Sequence, residues 1–495
     1  MEFNSYKFIF IFLPISLTIY FYLNYKNQAK ISKILLIVVS IVFYSYYFPK
    51  YLFLLLFSIC FNYLISKSII GNKSENNKIL LLLGILINLL ILGFFKYLAF
   101  FNSLYYFLFG SQLNLKGFIF PLGISFFTLS QIKYLIDVYR IRSINYSFIN
   151  YLLFVSFFPY IISGPIESHN QIIPQFDEKH NHRVNYCNLS LGLFLFLIGL
   201  LKKVIIADSF SSMVNSGFDL SSKLTFIESW MTSLAYTFQI FFDFSGYSDM
   251  ALGIALMLNI SIKINFLSPY KSTNIADFWK EWHISLSTWL RDYLFLPVAY
   301  ILSRKIKKEK ISNIKTTTLV YSVGIIITML LAGIWHGANW TFVFWGLLHG
   351  IALVIYRIWC STKLKMPKAL SWLITFNFIN LSWIFFRAKN FTSAINILKG
   401  MIGKNGIVLP TILTSKVHFL SKYGFKFGGM LENINGDALS IVLIFFGFVL
   451  LKIPNSKDLS INFDCNLKKL VLMIVVGWIA ILGVTRFNSF LYFKF

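Results

Sequence analysis

The chain has 495 residues, of which 57% are hydrophobic and 13% charged, and a formal net charge of +26. A soluble domain carries about a quarter charged residues, so this composition excludes an ordinary water-soluble fold. The excess of Lys and Arg sits in short clusters between apolar runs, with no basic-aromatic motif of a nucleic-acid module, so it reads as an orientation signal facing a lipid bilayer and no nucleic-acid partner is expected. Cys60, Cys187, Cys360 and Cys465 are scattered without C-x-x-C spacing, so neither a structural zinc site nor a disulfide framework is expected, and no metal.

Uncharged windows recur from the start: Phe8–Tyr25, Ile34–Pro49, Tyr51–Ser66, Ile79–Phe95, Tyr97–Leu115, Ser143–Ile166, Val184–Leu201, Ala369–Phe386 and Leu470–Thr485. Each approaches the roughly 20 residues that span hydrocarbon as a helix. Their apolar character is continuous rather than alternating, which excludes a β-barrel. The expectation is an all-α polytopic membrane protein: one domain over residues 1–495, with about 11 to 14 membrane helices and re-entrant pieces. The first window, with Lys7 ahead of it and no small-residue cleavage site, reads as a retained helix.

Pro121 and Gly123 favour a broken or re-entrant start to the segment that ends at Asp137-Val-Tyr-Arg140. Glu167 to Asn185 is a polar loop whose His169, His180 and His182 are expected to be solvated rather than metal ligands. Trp230 to Ile262 is interrupted by Phe242-Asp-Phe-Ser-Gly-Tyr-Ser-Asp249, where Ser245, Gly246 and Ser248 suit a helix break. Asp243 and Asp249 need partners in such an apolar setting; a structural pair with Arg291 or Lys280 is one candidate, orienting a histidine or binding a cation are others.

From Asp277 the residues Trp279, Trp282, Leu286, Trp289, Tyr293 and Leu296 are spaced 3,4,3,4,3, which predicts one apolar stripe on an amphipathic helix. His283 falls at the border of that stripe, and two readings stand level: a plain interfacial helix, or a tunnel mouth lined by a histidine. Thr316–Trp359 then reads as a helical hairpin. It includes a 41-residue window, Thr316 to Tyr356, without any Asp, Glu, Lys or Arg. At its turn stands Trp335-His336-Gly337, with Trp335 and Trp340 placed to wall a cavity. An imidazole at such depth is expensive, and neutral imidazole near its own pKa is a good general base, so His336 is the leading catalytic candidate. His349, in the same hairpin, reads as structural. Asn405 to Gly436 is expected to be a long loop, followed by crossings near Leu439–Leu451 and Leu470–Thr485. The basic runs Arg304–Lys310 and Lys363–Lys368 place both hairpin ends in the cytoplasm and its turn toward the outer half of the membrane, or deep in its middle if the helices are short or tilted. No G-x-S-x-G, no Walker A motif and no internal repeat is present, which disfavours a serine hydrolase, an ATP-driven pump and a repeat-built transporter.

Trp279-x-x-Trp-His-Ile-Ser-Leu-Ser-x-x-Leu-Arg-Asp-Tyr-Leu294 with Trp335-His-Gly-Ala-x-Trp340 resembles the membrane-bound O-acyltransferase family, in its bacterial alginate O-acetylation branch. Pro121-Leu-Gly-Ile-Ser-Phe126, Tyr134-x-x-Asp-Val-Tyr-Arg140, Ser163-Gly-Pro-Ile166, Gly199-x-x-Lys-Lys203, Ala207-Asp208, Phe242–Asp249 and the tail Phe490–Phe495 extend the likeness from about Phe43 to the end, most densely over 118–390. The resemblance implies a helical fold around a channel lined by Trp279, Trp282, Ser285, Trp335, Asn339, Trp340, Asp243, Ser245, Tyr247 and Asp249. It implies His336 as the catalytic histidine and His283, at a second, more variable polar position, as its catalytic companion. It implies a bacterial inner-membrane enzyme that takes an acetyl group from cytoplasmic acetyl-CoA, with no permanently bound cofactor. The acetyl group goes to a secreted or membrane-anchored partner acetyltransferase, or to an extracytoplasmic polysaccharide such as alginate, cellulose or peptidoglycan. A sibling branch carries D-alanine to teichoic acids. Without the resemblance, a glycan or lipid transporter and a scaffold for a secreted enzyme are the rivals.

Overall fold

A computed structural model describes the chain except for residues 48, 72–76, 112–120, 221–222, 307–309, 312–313, 363, 465, 486–489 and 492–495. Cys465, Lys363, the middle of the Arg304–Lys310 run and most of the Phe490–Phe495 tail therefore lie outside the described residues. The chain opens with helices α1 (Leu13–Tyr25), α2 (Ala29–Ser45), α3 (Lys50–Gly71), α4 (Asn77–Phe109), α5 (Ile124–Ile141) and α6 (Phe148–Ser156). After the single turn α7 (His169–Ile172) come α8 (Tyr186–Leu201), α9 (Asp208–Asn215) and the 32-residue α10 (Phe226–Met257). Helices α11 (Ile275–Glu281), α12 (Ile284–Leu290) and α13 (Leu296–Lys305) lead through the short strands β1 (Lys310–Ile311) and β2 (Ile314–Lys315) into α14 (Thr316–His336), α15 (Trp340–Ser361), α16 (Lys368–Arg387) and α17 (Phe391–Met401). Strands β3 (Ile407–Pro410) and β4 (Phe425–Gly428) enclose the turn α18 (Thr414–Val417), and α19 (Ala438–Leu450), α20 (Ser456–Ile461) and α21 (Leu467–Gly483) follow.

The protein is a polytopic helical membrane protein, as its uncharged windows predict. Eight helical stretches among the described residues are long and apolar enough to cross a bilayer. Backbone groups in hydrocarbon find their partners inside the helix, which is why apolar segments of this length take no other form.

Helix α10 is the centre of the bundle, with 94% of its apolar window buried. It runs unbroken through Phe242–Asp249, against the expected interruption. Gly246 serves a different purpose from a helix break. A Cβ there would fall 2.8 Å from the Gly199 carbonyl oxygen, and one on Gly199 would fall 2.5 Å from that of Gly246. Gly192 and Gly253 repeat the arrangement one heptad away, at 2.6 and 2.4 Å. Small residues thus let the backbones of α8 and α10 touch, as packed helices in lipid require.

Two apolar cores flank α10. One gathers α1–α6, much of α8, the Tyr247–Leu258 half of α10, Leu286–Leu290 and Trp335. The other gathers the Met231–Phe244 half of α10, α11, Phe342 and Trp345 of α15, α16 and α17. The boundary between them passes through Trp282/Leu286 on one side and Trp335/Phe342 on the other.

Two further expectations are corrected. The Trp279–Leu296 stripe does not lie on one helix: the chain breaks at His283, whose φ of +43° is left-handed, and α12 starts afresh. The 3.6-residue periodicity survives across the break because both helices press the same side into the cores. The Asn405–Gly436 region is no plain loop, since β3 and β4 pair in parallel from Ile407·Phe425 to Pro410·Gly428.

Candidate functional site

His336 is the last residue of α14, and the next helix begins four residues later. Twenty steps of about 1.5 Å carry it some 30 Å from Thr316, so it sits at the end of the hairpin remote from the basic loops. The turn is tight because Gly333 lies under α15, where a Cβ would fall 2.3 Å from the Phe342 carbonyl oxygen. Gly337 is extended, with φ −179°, so its role is space: a Cβ would strike the Phe342 ring at 2.5 Å. The imidazole is 6% exposed. Its ring lies 4.9 Å from Trp335, 5.2 Å from Trp345 and 5.0 Å from Phe386, all three edge-on.

His283 reaches the same interior from the α11–α12 break. It packs edge-on against Phe244 at 4.8 Å, and Phe126 lies between it and Trp335, at 6.4 and 5.9 Å. A second path of rings joins the two histidines: His336 to Trp345, Trp345 to Trp383 at 5.8 Å, Trp383 to Trp282 at 4.9 Å, Trp282 to Phe266 at 5.1 Å, and Phe266 to His283 at 6.2 Å. Both histidines are thus set in one aromatic wall at the boundary between the two cores, within electrostatic reach of each other. Such a surface accommodates an apolar or flat group and offers imidazole nitrogens as its polar points.

Trp279 belongs to this wall through a third histidine. Its indole N–H donates to His349 Nδ1 at 3.2 Å, and His349 Nε2 meets Ser382 Oγ at 3.0 Å, while that hydroxyl donates to the Ile379 carbonyl at 2.8 Å. An indole only donates and the serine proton is taken, so Nδ1 is the acceptor and Nε2 carries the proton. His349 is a neutral strut, in keeping with its structural reading.

Ser285 ties the break to its surroundings: its hydroxyl donates to Asn265 Oδ1 at 2.9 Å and accepts from the Ile166 N–H at 2.9 Å. Asn339 caps α15 through Thr341 N–H at 3.1 Å and donates to the Lys389 carbonyl at 2.6 Å. Trp340 is 63% exposed and faces outward, so it does not line the interior. The turn spends only Trp335 on the wall because one residue past the cap the helix presents its other side.

The acids of α10 form a separate cluster. Lys203 Nζ pairs with Asp243 and Asp208, both at 2.8 Å, and Asp243 also accepts from the Leu491 N–H at 3.0 Å. Lys202 pairs with Asp249 at 2.6 Å, and Ser456 donates to the same carboxylate. The expected partners lie elsewhere: Arg291 pairs with Asp292 and Lys280 with Asp277. Tyr247 stacks on Phe3 at 5.0 Å and meets Phe490 edge-on at 4.9 Å, so it joins the chain ends to α10. Ser245 is buried between the cores.

The polar loop holds one buried histidine. His169 is 1% exposed, its Nε2 is 3.1 Å from Asp137, and Tyr146 OH is 3.2 Å from Nδ1; Tyr293 OH donates to the other Asp137 oxygen at 2.7 Å. Only His180, 78% exposed, is solvated in the expected way. Two residues before His169, burial pushes the Glu167 carboxyl up to about 7, against the Lys263 N–H it accepts at 2.7 Å and the charges of Lys263 and Lys133. Among the described residues no group of three His, Cys, Asp or Glu is arranged to hold a metal ion. The sequence alone does not single out Lys96 and Tyr97 of α4, because Lys96 only separates two uncharged windows. Tyr97 OH donates to the Ile334 carbonyl at the end of α14, Lys96 Nζ donates to Ser125 Oγ at 3.2 Å, and it lies 5.2 Å over the Trp335 ring.

Residues 9–395 match the model of the membrane-bound O-acyltransferase (MBOAT) family. The chain is 44% identical over 451 residues to a peptidoglycan O-acetyltransferase of Helicobacter pylori, covering 85% of this chain and 83% of that one. It is 37% identical to a "Probable alginate O-acetylase AlgI" of Pseudomonas aeruginosa, over 81% of this chain and 75% of that one. A teichoic acid D-alanyltransferase of Streptococcus thermophilus is 31% identical over 54% of this chain and 68% of its own.

Proposed function

The chain belongs to the membrane-bound O-acyltransferase family, and from that premise we propose that it O-acetylates an extracytoplasmic polysaccharide, with His336 as the general base. The observation that carries this reading is the placement of His336 and His283 in one buried aromatic wall between two apolar cores. The family makes the chain an acyltransferase. The acetyl group and the polysaccharide rest on the names of relatives that align over most of its length. Peptidoglycan is the first polymer to test, because that relative is more similar than the alginate enzymes.

In this scheme acetyl-CoA enters from the cytoplasmic side, where the basic loops cluster, and its thioester reaches the wall between the cores. His336 accepts the proton of the attacking hydroxyl on a ring nitrogen. The oxygen bonds to the carbonyl carbon, the tetrahedral adduct collapses, the carbon–sulfur bond breaks, and the thiolate leaves with the proton that His336 returns. Positioned general-base catalysis of this kind contributes about 10²–10⁴ in rate. The hydroxyl belongs to a secreted or membrane-anchored partner acetyltransferase or to the glycan itself, and the enzyme resides in a bacterial cytoplasmic membrane.

The test is transfer of radiolabelled acetyl from acetyl-CoA by purified protein in liposomes, together with NMR of the cell-surface glycans. His336→Ala is expected to abolish transfer and the glycan acetyl signal while the protein still reaches the membrane folded. Retained transfer in that variant removes His336 from the mechanism. Loss of D-alanyl esters rather than acetyl groups on deleting the gene assigns the chain to D-alanine transfer instead.

A further inference from the structure

Lys96 is the one charged residue of α4 between Lys78 and its end. An ammonium in an otherwise apolar membrane helix is costly and marks function by default. An interfacial lysine ordinarily snorkels its charge to water. Lys96 does the opposite. Gly84, Asn88 and Leu92 recur every four residues on the buried face of α4, and Lys96 extends that row inward. Its ammonium donates to the buried Ser125 hydroxyl and covers the face of Trp335, the residue next to His336. The neighbouring Tyr97 hydroxyl holds the Ile334 carbonyl, so two consecutive residues of α4 grip the end of the helix that presents His336. That helix end also carries the negative pole of its dipole, which favours a cation beside it.

We infer that the Lys96 ammonium is a second catalytic group, donating a hydrogen bond to the oxyanion that forms on the acyl carbonyl as the hydroxyl attacks. Its position over Trp335, at the helix end that presents His336, puts an ammonium donor beside the residue that takes the proton. Ser125 and Trp335 hold it there before the substrate arrives, so no reorganisation is needed during the step. Electrons from the attacking oxygen pass to the carbonyl oxygen, rest there against the ammonium, and return as the carbon–sulfur bond breaks; Lys96 keeps its proton throughout. This inference rests on the acyl-transfer reading above.

The experiment measures steady-state transfer from [¹⁴C]acetyl-CoA to an N-acetylglucosamine–N-acetylmuramic acid oligosaccharide in proteoliposomes, for wild type, His336→Ala, Lys96→Met, Lys96→Gln and Lys96→Arg. Removal of an oxyanion donor lowers kcat by about 10²–10³, so Lys96→Met and Lys96→Gln are expected to lose that much with KM for acetyl-CoA within about threefold of wild type. Lys96→Arg, which keeps a charged donor, is expected to retain more kcat than either. A purely structural brace would instead change melting temperature and KM together and would not separate Arg from Gln. The inference is overturned if kcat of the folded Met and Gln variants stays within about threefold of wild type, or if only KM changes. It is overturned equally if both neutral variants fail to fold, since Lys96 is then a structural cap. Wild-type activity with a dead His336→Ala and an unaffected Lys96→Met sinks this inference alone, whereas inactive wild type sinks direct transfer to the glycan and active His336→Ala sinks the reading beneath it.

Discussion

Two of the polar sets that the bundle holds at depth are built on opposite plans. Around Lys203, Asp208 and Asp243, and again at Lys202 and Asp249, each charge meets an opposite charge within 2.8 Å. Around His336 and His283 the neighbours are rings. A buried ion pair is neutralised in the folded state and contributes fixed geometry, whereas an imidazole walled by aromatics keeps its proton-transfer capacity for something that arrives. The first set therefore holds helices together, and the second is the one proposed to face a substrate.

Two substitutions pull the sets apart most strongly. Lys203→Met leaves two carboxylates buried without their cation and is expected to cost about 3–5 kcal/mol, read as a large fall in melting temperature in detergent. His336→Ala is expected to leave the melting temperature within a few degrees while transfer disappears. Equal destabilisation by both variants would erase the distinction between the sets. Next in size, Gly246→Val drives a side chain into the α8 backbone and is expected to cost about 1–3 kcal/mol.

A smaller effect is pH-dependent. The folded-state Glu167 carboxyl sits near 7 against an ordinary 4.5, so the folded protein holds this proton more tightly than the unfolded chain. The resulting stability is complete below about pH 4.5 and is lost as pH rises through 7. Glu167→Gln keeps the acceptor for Lys263 and is expected to flatten melting temperature between pH 5 and 8, with its gain over wild type at the alkaline end. A variant with the wild-type slope places that dependence on another group. Smallest of all, Trp340→Phe is expected to change stability and activity little, about 0.5 kcal/mol or less, because the side chain faces outward.

The membrane class and the prominence of His336 were legible in the sequence because both depend on local cost: a run without charge needs a helix, and a polar residue inside it needs a reason. What the sequence concealed depends on contacts between distant segments. Asp243 and Asp249 belong to Lys203 and Lys202, 40 and 47 residues earlier, and nothing local distinguishes these lysines from Arg291 or Lys280. Gly246 in a Ser-Gly-Tyr-Ser run looks like a breaker until α8 is seen lying against it. His169 looks like a loop residue until Asp137 and Tyr146 enclose it. The break at His283 was hidden because a stripe with helical spacing continues across it. Lys96 lies between two apolar windows, and one lysine there carries the same signal whether it points to water or inward.

The reciprocal glycines of α8 and α10 act as a gauge block. Gly199 and Gly246 fix how far apart the two backbones stand, and Lys202, Lys203, Asp243 and Asp249 all lie within four residues of that contact. Electrostatic distances at the centre of the protein are therefore machined by the absence of two methyl groups. A methyl added at either position alters no charge, yet it pries apart both ion pairs at once, so a purely steric change would be felt as an electrostatic one.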